Sequence, residues 1–262
     1  MTEQTIRFED GAGYEQMMGV WSRLVGEVFL PWLAPPPGQR WIDVGCGNGA
    51  FTELLVDRCA PAAVEGIDPS EGQLAFARTR PAARLAKFTI GDAMALPFPA
   101  ASFDMAVMAL VLVFVPDPRK GVEEMVRVVR PGGTVATYMW DMLGGGFPLD
   151  PVIVEMRAMG LAPTRPPQME ASRTQALRDL WNEAGLREVA TREITVWRTF
   201  ENFDQLWSAK QKSPTIGPTI AALKSRDLQT LQDRVRTRLP ADAEGRITYA
   251  ATANAIKGRV PA

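Results

Sequence analysis

The stretch Arg40-Trp41-Ile42-Asp43-Val44-Gly45-Cys46-Gly47-Asn48-Gly49-Ala50-Phe51 decides the architecture. Arg40 to Val44 is a short apolar run that reads as a buried strand. From Phe51 to Cys59 the spacing of Phe51, Leu54, Leu55 and Cys59 is helical. Gly45, Gly47 and Gly49 sit at the change of period. Glycines reach backbone angles closed to other residues and let a ligand approach the main chain beside a helix N-terminus. Strand, glycine loop and helix together predict a nucleotide cradle. Alone the loop leaves its ligand open, because Gly45, Gly47 and Ala50 also fit the dinucleotide pattern G-x-G-x-x-G/A of NAD and FAD proteins.

Working outward, Ala63-Val64-Glu65-Gly66-Ile67-Asp68 predicts a second strand with an acid at its carboxyl end. Asp68 follows Gly45 by 23 residues, near the spacing at which a carboxylate accepts from both ribose hydroxyls of an adenine nucleotide. Asp68-Pro69-Ser70 also reads as a helix cap before Glu71. Leu85 to Ile90 predicts a third strand, ending at Gly91-Asp92-Ala93-Met94. Ser102 to Val111 is nearly continuous in apolar residues, as in a parallel strand covered on both faces. A helix with Val122, Met125, Val126 and Val129 on one side ends at Arg130-Pro131-Gly132-Gly133, and Thr134 to Trp140 is the fifth strand. Such alternation argues a doubly wound α/β sheet.

Before the loop, Met17, Trp21, Leu24, Val25, Val28, Phe29 and Trp32 follow helical spacing, and Pro35-Pro36-Pro37-Gly38 ends the segment. Residues 1–12 read as a mobile arm. Tyr14, Trp21 and Arg23 fall at the start of the helix, where they either pack it on the sheet or cover a polar ligand. After the fifth strand, Gly144-Gly145-Gly146 reads as a link and Val152 to Met159 as a helix. Ser172 reads as the cap of a helix running through Leu177, Leu180 and Trp181 to Gly185. Leu186 to Phe200 reads as a partly exposed strand, Phe203–Lys210 and Asp227–Arg238 as helices, and Gly245 to Ala255 as the last strand.

Composition narrows the chemistry. The 262 residues carry a net charge of -1, which gives no electrostatic case for nucleic acid or an anionic membrane as partner. The longest apolar run, Met105 to Val115, has 11 residues, too few to span a bilayer. Two cysteines, one inside the loop, make no disulfide framework, so a cytoplasmic setting is expected. Histidine is absent, which removes His metal sites, Ser-His and Cys-His nucleophiles and a His general base, and no metal site is expected. Lys and Arg are absent from Trp41 to Asp57, against a pyrophosphate. No Tyr is followed closely by Lys, against a hydride-transfer pair.

Taken together, Asp43-Val44-Gly45-Cys46-Gly47-Asn48-Gly49, Gly66-Ile67-Asp68, Gly91-Asp92-Ala93 and Val129-Arg130-Pro131-Gly132-Gly133 resemble, in order and spacing, the class I S-adenosylmethionine-dependent methyltransferases. Within them the likeness is greatest to the small-molecule branch of the ubiquinone/menaquinone C-methyltransferases. The resemblance implies a Rossmann-like sheet of seven strands with the last antiparallel, in a single domain over 1–262. Its parts would be an N-terminal helix over 13–34, a cofactor-binding core over 38–140, and cover segments with the last two strands over 141–262.

The same resemblance implies S-adenosyl-L-methionine as cofactor. Gly45 and Gly47 would lie by its methionine part, Asp68 on the ribose, Asp92 and the Ala93 amide on the adenine, and Leu110 near the sulfur. Asp43, Cys46, Pro69 and Met94 join this set, with Tyr14, Trp21 and Arg23 from the first helix and Arg23 on the methionine carboxylate. Phe114 and Trp140 would line an acceptor pocket. Phe114 stands in the loop after the fourth strand, where many relatives carry His, so no catalytic base is assigned; Asp117, Tyr138 and Asp141 are candidates. The expected enzyme methylates O, N or C of a small, apolar organic acceptor, as a monomer or homodimer. The alternative is a binding protein that has kept the cofactor site and lost transfer.

Overall fold

The computed structural model describes residues 11–262, and of Gly11 and Tyr14 only the backbone. The arm expected over 1–12 lies, up to residue 10, outside the described residues. The chain begins with α1 (Gly11–Tyr14), a π-helical turn (Glu15–Gly19) and α2 (Val20–Leu33), which together cover the expected first helix. Then follow β1 (Arg40–Val44), α3 (Ala50–Cys59), β2 (Ala63–Asp68), α4 (Glu71–Ala77), β3 (Ala86–Ile90), β4 (Phe103–Ala109), α5 (Pro118–Val128) and β5 (Val129–Trp140). The remainder is α6 (Asp150–Ala158), α7 (Thr174–Glu183), β6 (Arg187–Phe200), α8 (Phe203–Gln211), α9 (Gly217–Ala221), α10 (Ser225–Arg238) and β7 (Ile247–Arg259).

The seven strands form one sheet in the order β3-β2-β1-β4-β5-β7-β6. All neighbours are parallel up to β5, and β7 runs antiparallel to both β5 and β6. The expected Rossmann-like sheet with an antiparallel last strand is therefore observed. The chain leaves β1 toward β2 and β3, then returns to β4 on the other side of β1. Open α/β sheets bind ligands outside the carboxyl ends of the strands at such a reversal. Asp43 is in register there with Gly66 on one side and Val107 on the other.

The reasons for the elements are local. β1 and β4 are apolar because helices cover both faces: Trp41, Ile42, Val44, Val107 and Met108 are fully buried. α5 starts at Pro118 with Asp117 as N-cap, its carboxylate accepting the Lys120 N–H at 3.2 Å, and buries Val122, Met125 and Val128. α7 buries Leu177 and Trp181, whose Nε1–H donates to the Val135 carbonyl at 3.2 Å. Full burial of such a side chain contributes roughly 1.5–3 kcal/mol. No helix among the described residues is long and apolar enough to cross a membrane.

Some expectations change. Ser172 is not the cap of α7: its hydroxyl donates to the Met169 carbonyl at 2.7 Å and accepts the Met142 N–H at 3.3 Å, closing a 3₁₀ turn (Met169–Ser172), and Arg173 precedes the helix. Arg130-Pro131-Gly132-Gly133 does not stand between helix and strand but inside β5. Asp104 holds this entry in place by accepting from the Arg130 guanidinium at 2.5 Å and the Arg40 N–H at 2.8 Å. β7 continues beyond Ala255 to Arg259, where it pairs with Thr134 at the start of the parallel part of β5.

Candidate cofactor and acceptor site

β1 delivers Asp43 to its carboxyl end with no solvent exposure. One carboxylate oxygen accepts the Thr52 hydroxyl of α3 at 2.6 Å, while Oδ1 has no hydrogen-bond partner. Burial, opposed by the Thr52 hydrogen bond and aided by the charge of Asp68, pushes this carboxyl up to about 7. An orphaned acceptor of this kind is costly unless something supplies a donor.

Gly45, Gly47 and Gly49 all have positive φ, at +74°, +52° and +77°. The Gly45 and Cys46 amides both donate to the Ile67 carbonyl, at 2.6 and 3.0 Å, which ties the loop to β2. At Gly45 the left-handed backbone coincides with a close approach: a Cβ there would stand 2.6 Å from both methyls of Val111, in the segment after β4. Cys46 is buried and its thiol is pushed up by burial, so it offers no reactive thiolate. At the end of β2, Asp68 accepts the Gly47 N–H through one oxygen and the Ser70 N–H through the other, both at 2.9 Å. Burial raises this carboxyl, and the two amides work against the rise. Ser70 is the N-cap of α4, its hydroxyl accepting the Gln73 N–H at 3.3 Å, so Asp68-Pro69-Ser70 is both helix entry and loop support.

After β3, exposed Asp92 folds back on itself, its carboxylate accepting the Met94 N–H at 2.8 Å, with Ala93 and Met94 half-buried beside it. Leu110, at the end of β4, is buried and held at φ +64°, with its amide donating to the Tyr138 carbonyl at 2.9 Å. A strained non-glycine residue at this edge persists only where its surroundings over-determine it. Phe114 is half-buried in a 3₁₀ turn (Leu112–Phe114), and Trp140 ends β5 fully buried.

The first helix contributes differently from its sequence pattern. Trp21 is buried, edge-on to Trp140 with ring centres 6.3 Å apart, and 5.1 Å from the Tyr249 ring of β7. Arg23 is half-exposed and faces α3, 3.9 Å from the Glu53 carboxylate. The side chain of Tyr14 lies outside the described residues. Of the three base candidates, Tyr138 lies among Phe29 and Phe51 with its hydroxyl 3.5 Å from Ser22, Asp117 caps α5, and Asp141 accepts the Gly144 N–H at 2.8 Å.

Two groups escaped the sequence. Arg80 reaches the glycine loop from beyond α4, donating to the Asn48 carbonyl at 2.6 Å, to Glu53 at 2.8 Å and to Glu15 of the π-helical turn. Asn48 completes the knot by donating to Glu15 at 3.0 Å. A cation thus does stand against the loop, although none lies within it, and both carboxylates already engage it. The second is Lys210, wholly buried between the Pro148 carbonyl and the Tyr249 hydroxyl, its amine held well below the usual range by burial and by Arg198. Arg80→Ala is expected to lower unfolding free energy by about 1–3 kcal/mol, because it leaves a nearly buried Glu53 with only the more distant Arg23, at 3.9 Å. Urea titration of both proteins reads this, and equal midpoints would contradict it.

Comparison with known proteins places this arrangement. Residues 42–137 match the family model described as a methyltransferase domain. The ubiquinone/menaquinone biosynthesis C-methyltransferase UbiE of Cereibacter sphaeroides is 33% identical over 131 residues, covering 48% of this chain and 52% of that protein. The malonyl-[acyl-carrier protein] O-methyltransferase of Serratia marcescens is 33% identical over 128 residues, 49% of each chain. The chain therefore spans about half the length of these curated relatives. Among solved structures, the phosphoethanolamine N-methyltransferase 2 of Haemonchus contortus superposes with a TM-score of 0.59 at 18% identity, over 95% of this chain and 57% of that one, a likeness of fold alone. Residues 42–137 thus match a methyltransferase domain and are similar to the ubiquinone/menaquinone C-methyltransferases, on a seven-stranded Rossmann-like sheet.

Proposed function

We propose that this chain transfers the methyl group of S-adenosyl-L-methionine to O, N or C of a small, apolar organic acceptor. It would do so as a single domain, with residues 38–140 holding the cofactor and residues 141–262 shaping the acceptor side. The observation that carries the reading is the carboxyl edge at the β1/β4 reversal, where an unpartnered Asp43 oxygen, the Gly45 cradle against Val111 and the Asp68 carboxylate meet. These groups fit the cofactor: a buried acid suits its positive charge, a side-chain-free loop its close approach, and Asp68 its ribose hydroxyls. Asp92, Ala93 and Met94 are assigned to the adenine, and Leu110 to the neighbourhood of the sulfur. Cys46 and Pro69 complete the wall. Buried, unpaired Cys46 and Cys59 suit a reducing cytoplasm.

When bound, the cofactor supplies a methyl group already activated on a sulfonium sulfur. What remains for the chain is to bind, orient and exclude water. Tyr138, Asp117 and Asp141 are each engaged within the fold, so the reading assigns no base and rests on orientation, which supplies on the order of 7–11 kcal/mol. Phe114 and Trp140 give the acceptor side apolar walls.

Two experiments follow. Incubation with S-adenosylmethionine labelled on its methyl group and a panel of phenols, hydroquinones, amines and carboxylic acids is expected to yield labelled product and S-adenosylhomocysteine. Cofactor binding without transfer to any of them would favour the binding-protein alternative. Second, Asp43 must be ionised to hold a cation, and its carboxyl sits at about 7. Affinity for S-adenosylmethionine should therefore rise about tenfold from pH 6 to pH 8 and lose that rise in Asp43→Asn. A flat profile in the unaltered protein would remove Asp43 from the cofactor site.

A further inference from the structure

One helix face turned toward the glycine loop carries a group that the fold leaves unsatisfied. In α4, Gln73 and Ala77 stand one turn apart and share a face. Ala77 packs at Gly49, its Cβ 3.1 Å from where a Gly49 Cβ would be, and the Gln73 Oε1 lies 3.8 Å from where a Gly47 Cβ would be. Gln73 is only 2% exposed, yet neither its Oε1 nor its Nε2 has a hydrogen-bond partner among the described residues. The backbone of the same residue is fixed, its N–H donating to the Ser70 hydroxyl at 3.3 Å, and Ser70 in turn donates its amide to Asp68. The orphaned carboxamide is thus held beside the acid assigned to the ribose.

An apolar side chain of the same shape would be more stable there, so the buried amide calls for partners from outside the fold. Counting donors indicates which partners. A ribose hydroxyl has one proton to give and lone pairs to satisfy, and an ionised Asp68 can only accept. The loop cannot supply the missing donors from its glycine turn. The Gly45 and Cys46 amides go to the Ile67 carbonyl, the Gly47 amide to Asp68 and the Gly49 amide to the Cys46 carbonyl. Trp41 to Asp57 holds no Lys or Arg, and Arg80 is engaged by Asn48, Glu53 and Glu15. The Gln73 amide remains. Nothing in the fold fixes which of its ends faces the loop, so the N–H can turn to that side.

We infer that Gln73 is a cofactor-binding residue, its carboxamide N–H donating to the oxygen of a ribose hydroxyl whose own proton goes to Asp68. This rests on the methyltransferase reading, whose ribose site it completes.

The test is calorimetric, on the full chain, with S-adenosylhomocysteine and its 2′-deoxy and 3′-deoxy analogues. Gln73→Met keeps the length of the side chain and removes its polar atoms. It is expected to weaken S-adenosylhomocysteine about tenfold, the ratio carried by one hydrogen bond. The analogue that lacks the contacted hydroxyl should lose less than about twofold, because the bond is already missing. Gln73→Ala should repeat this pattern. Without ligand, Gln73→Met should unfold at the same temperature as the unaltered protein or higher, since an unsatisfied buried amide is gone. A loss below about threefold, an equal loss for all three ligands, or a lower ligand-free midpoint in Gln73→Met would overturn the proposal. No binding of S-adenosylhomocysteine to the unaltered protein would contradict the methyltransferase reading, and this proposal with it.

Discussion

Replacing Asp68 with alanine is expected to weaken binding of S-adenosylhomocysteine by at least about 100-fold, equivalent to about 2.7 kcal/mol. The carboxylate has two tasks. It fastens the glycine loop and the α4 entry by accepting the Gly47 and Ser70 amides, both at 2.9 Å. Hydrogen bonds to charged groups contribute about 1.5–3 kcal/mol each. It also offers the remaining lone pairs assigned to the ribose hydroxyls. Asp68→Asn keeps one acceptor oxygen and should fall between the two proteins. A loss under threefold in Asp68→Ala would show that the acid at the end of β2 serves only the loop.

Gly45→Ala is expected to cost more broadly. A left-handed residue with a Cβ carries roughly 1–2 kcal/mol of strain, and overpacking adds about 1–3 kcal/mol. The new methyl would stand 2.6 Å from both Val111 methyls, so either the loop or the segment after β4 must shift. Unfolding free energy should drop by about 2–5 kcal/mol, and cofactor binding should become undetectable at micromolar concentration. Adding Val111→Ala should restore part of the stability by removing the clash but not the strain. Gly47→Ala provides the contrast, since nothing lies nearer its missing Cβ than the Gln73 amide oxygen at 3.8 Å, leaving the φ cost alone. Equal stability of the two glycine variants would refute the role given to Val111.

How far the sequence led depended on whether the cause of a feature was local. β1, α3 and β2 begin and end where expected, because apolar runs there are bounded by glycine and proline and each boundary has a backbone reason within a few residues. An acid at the carboxyl end of β2, Asp68, was legible from strand period and spacing; its hold on the Gly47 amide was not. Arg80 was not: it lies in Arg78-Thr79-Arg80-Pro81, which has no pattern of its own, and only the fold brings it to Asn48 and Glu15. Lys210 ends the expected helix over Phe203–Lys210 with no pattern that marks its burial, and only the fold brings β7 and Tyr249 to it. Arg23 illustrates the limit of helical spacing, which locates a residue on a helix but not the partner its face meets, here Glu53. Ser172 had the residue type of a cap, yet Met142 from the link after β5 claimed its hydroxyl.

The most direct measurement is calorimetric titration of the full chain with S-adenosylmethionine, S-adenosylhomocysteine and NAD under one set of conditions. Micromolar binding of both sulfur compounds, abolished by Asp68→Ala, with no heat from NAD, is the predicted result. Binding of NAD with no response to either sulfur compound would contradict the account and return the glycine loop to the dinucleotide proteins.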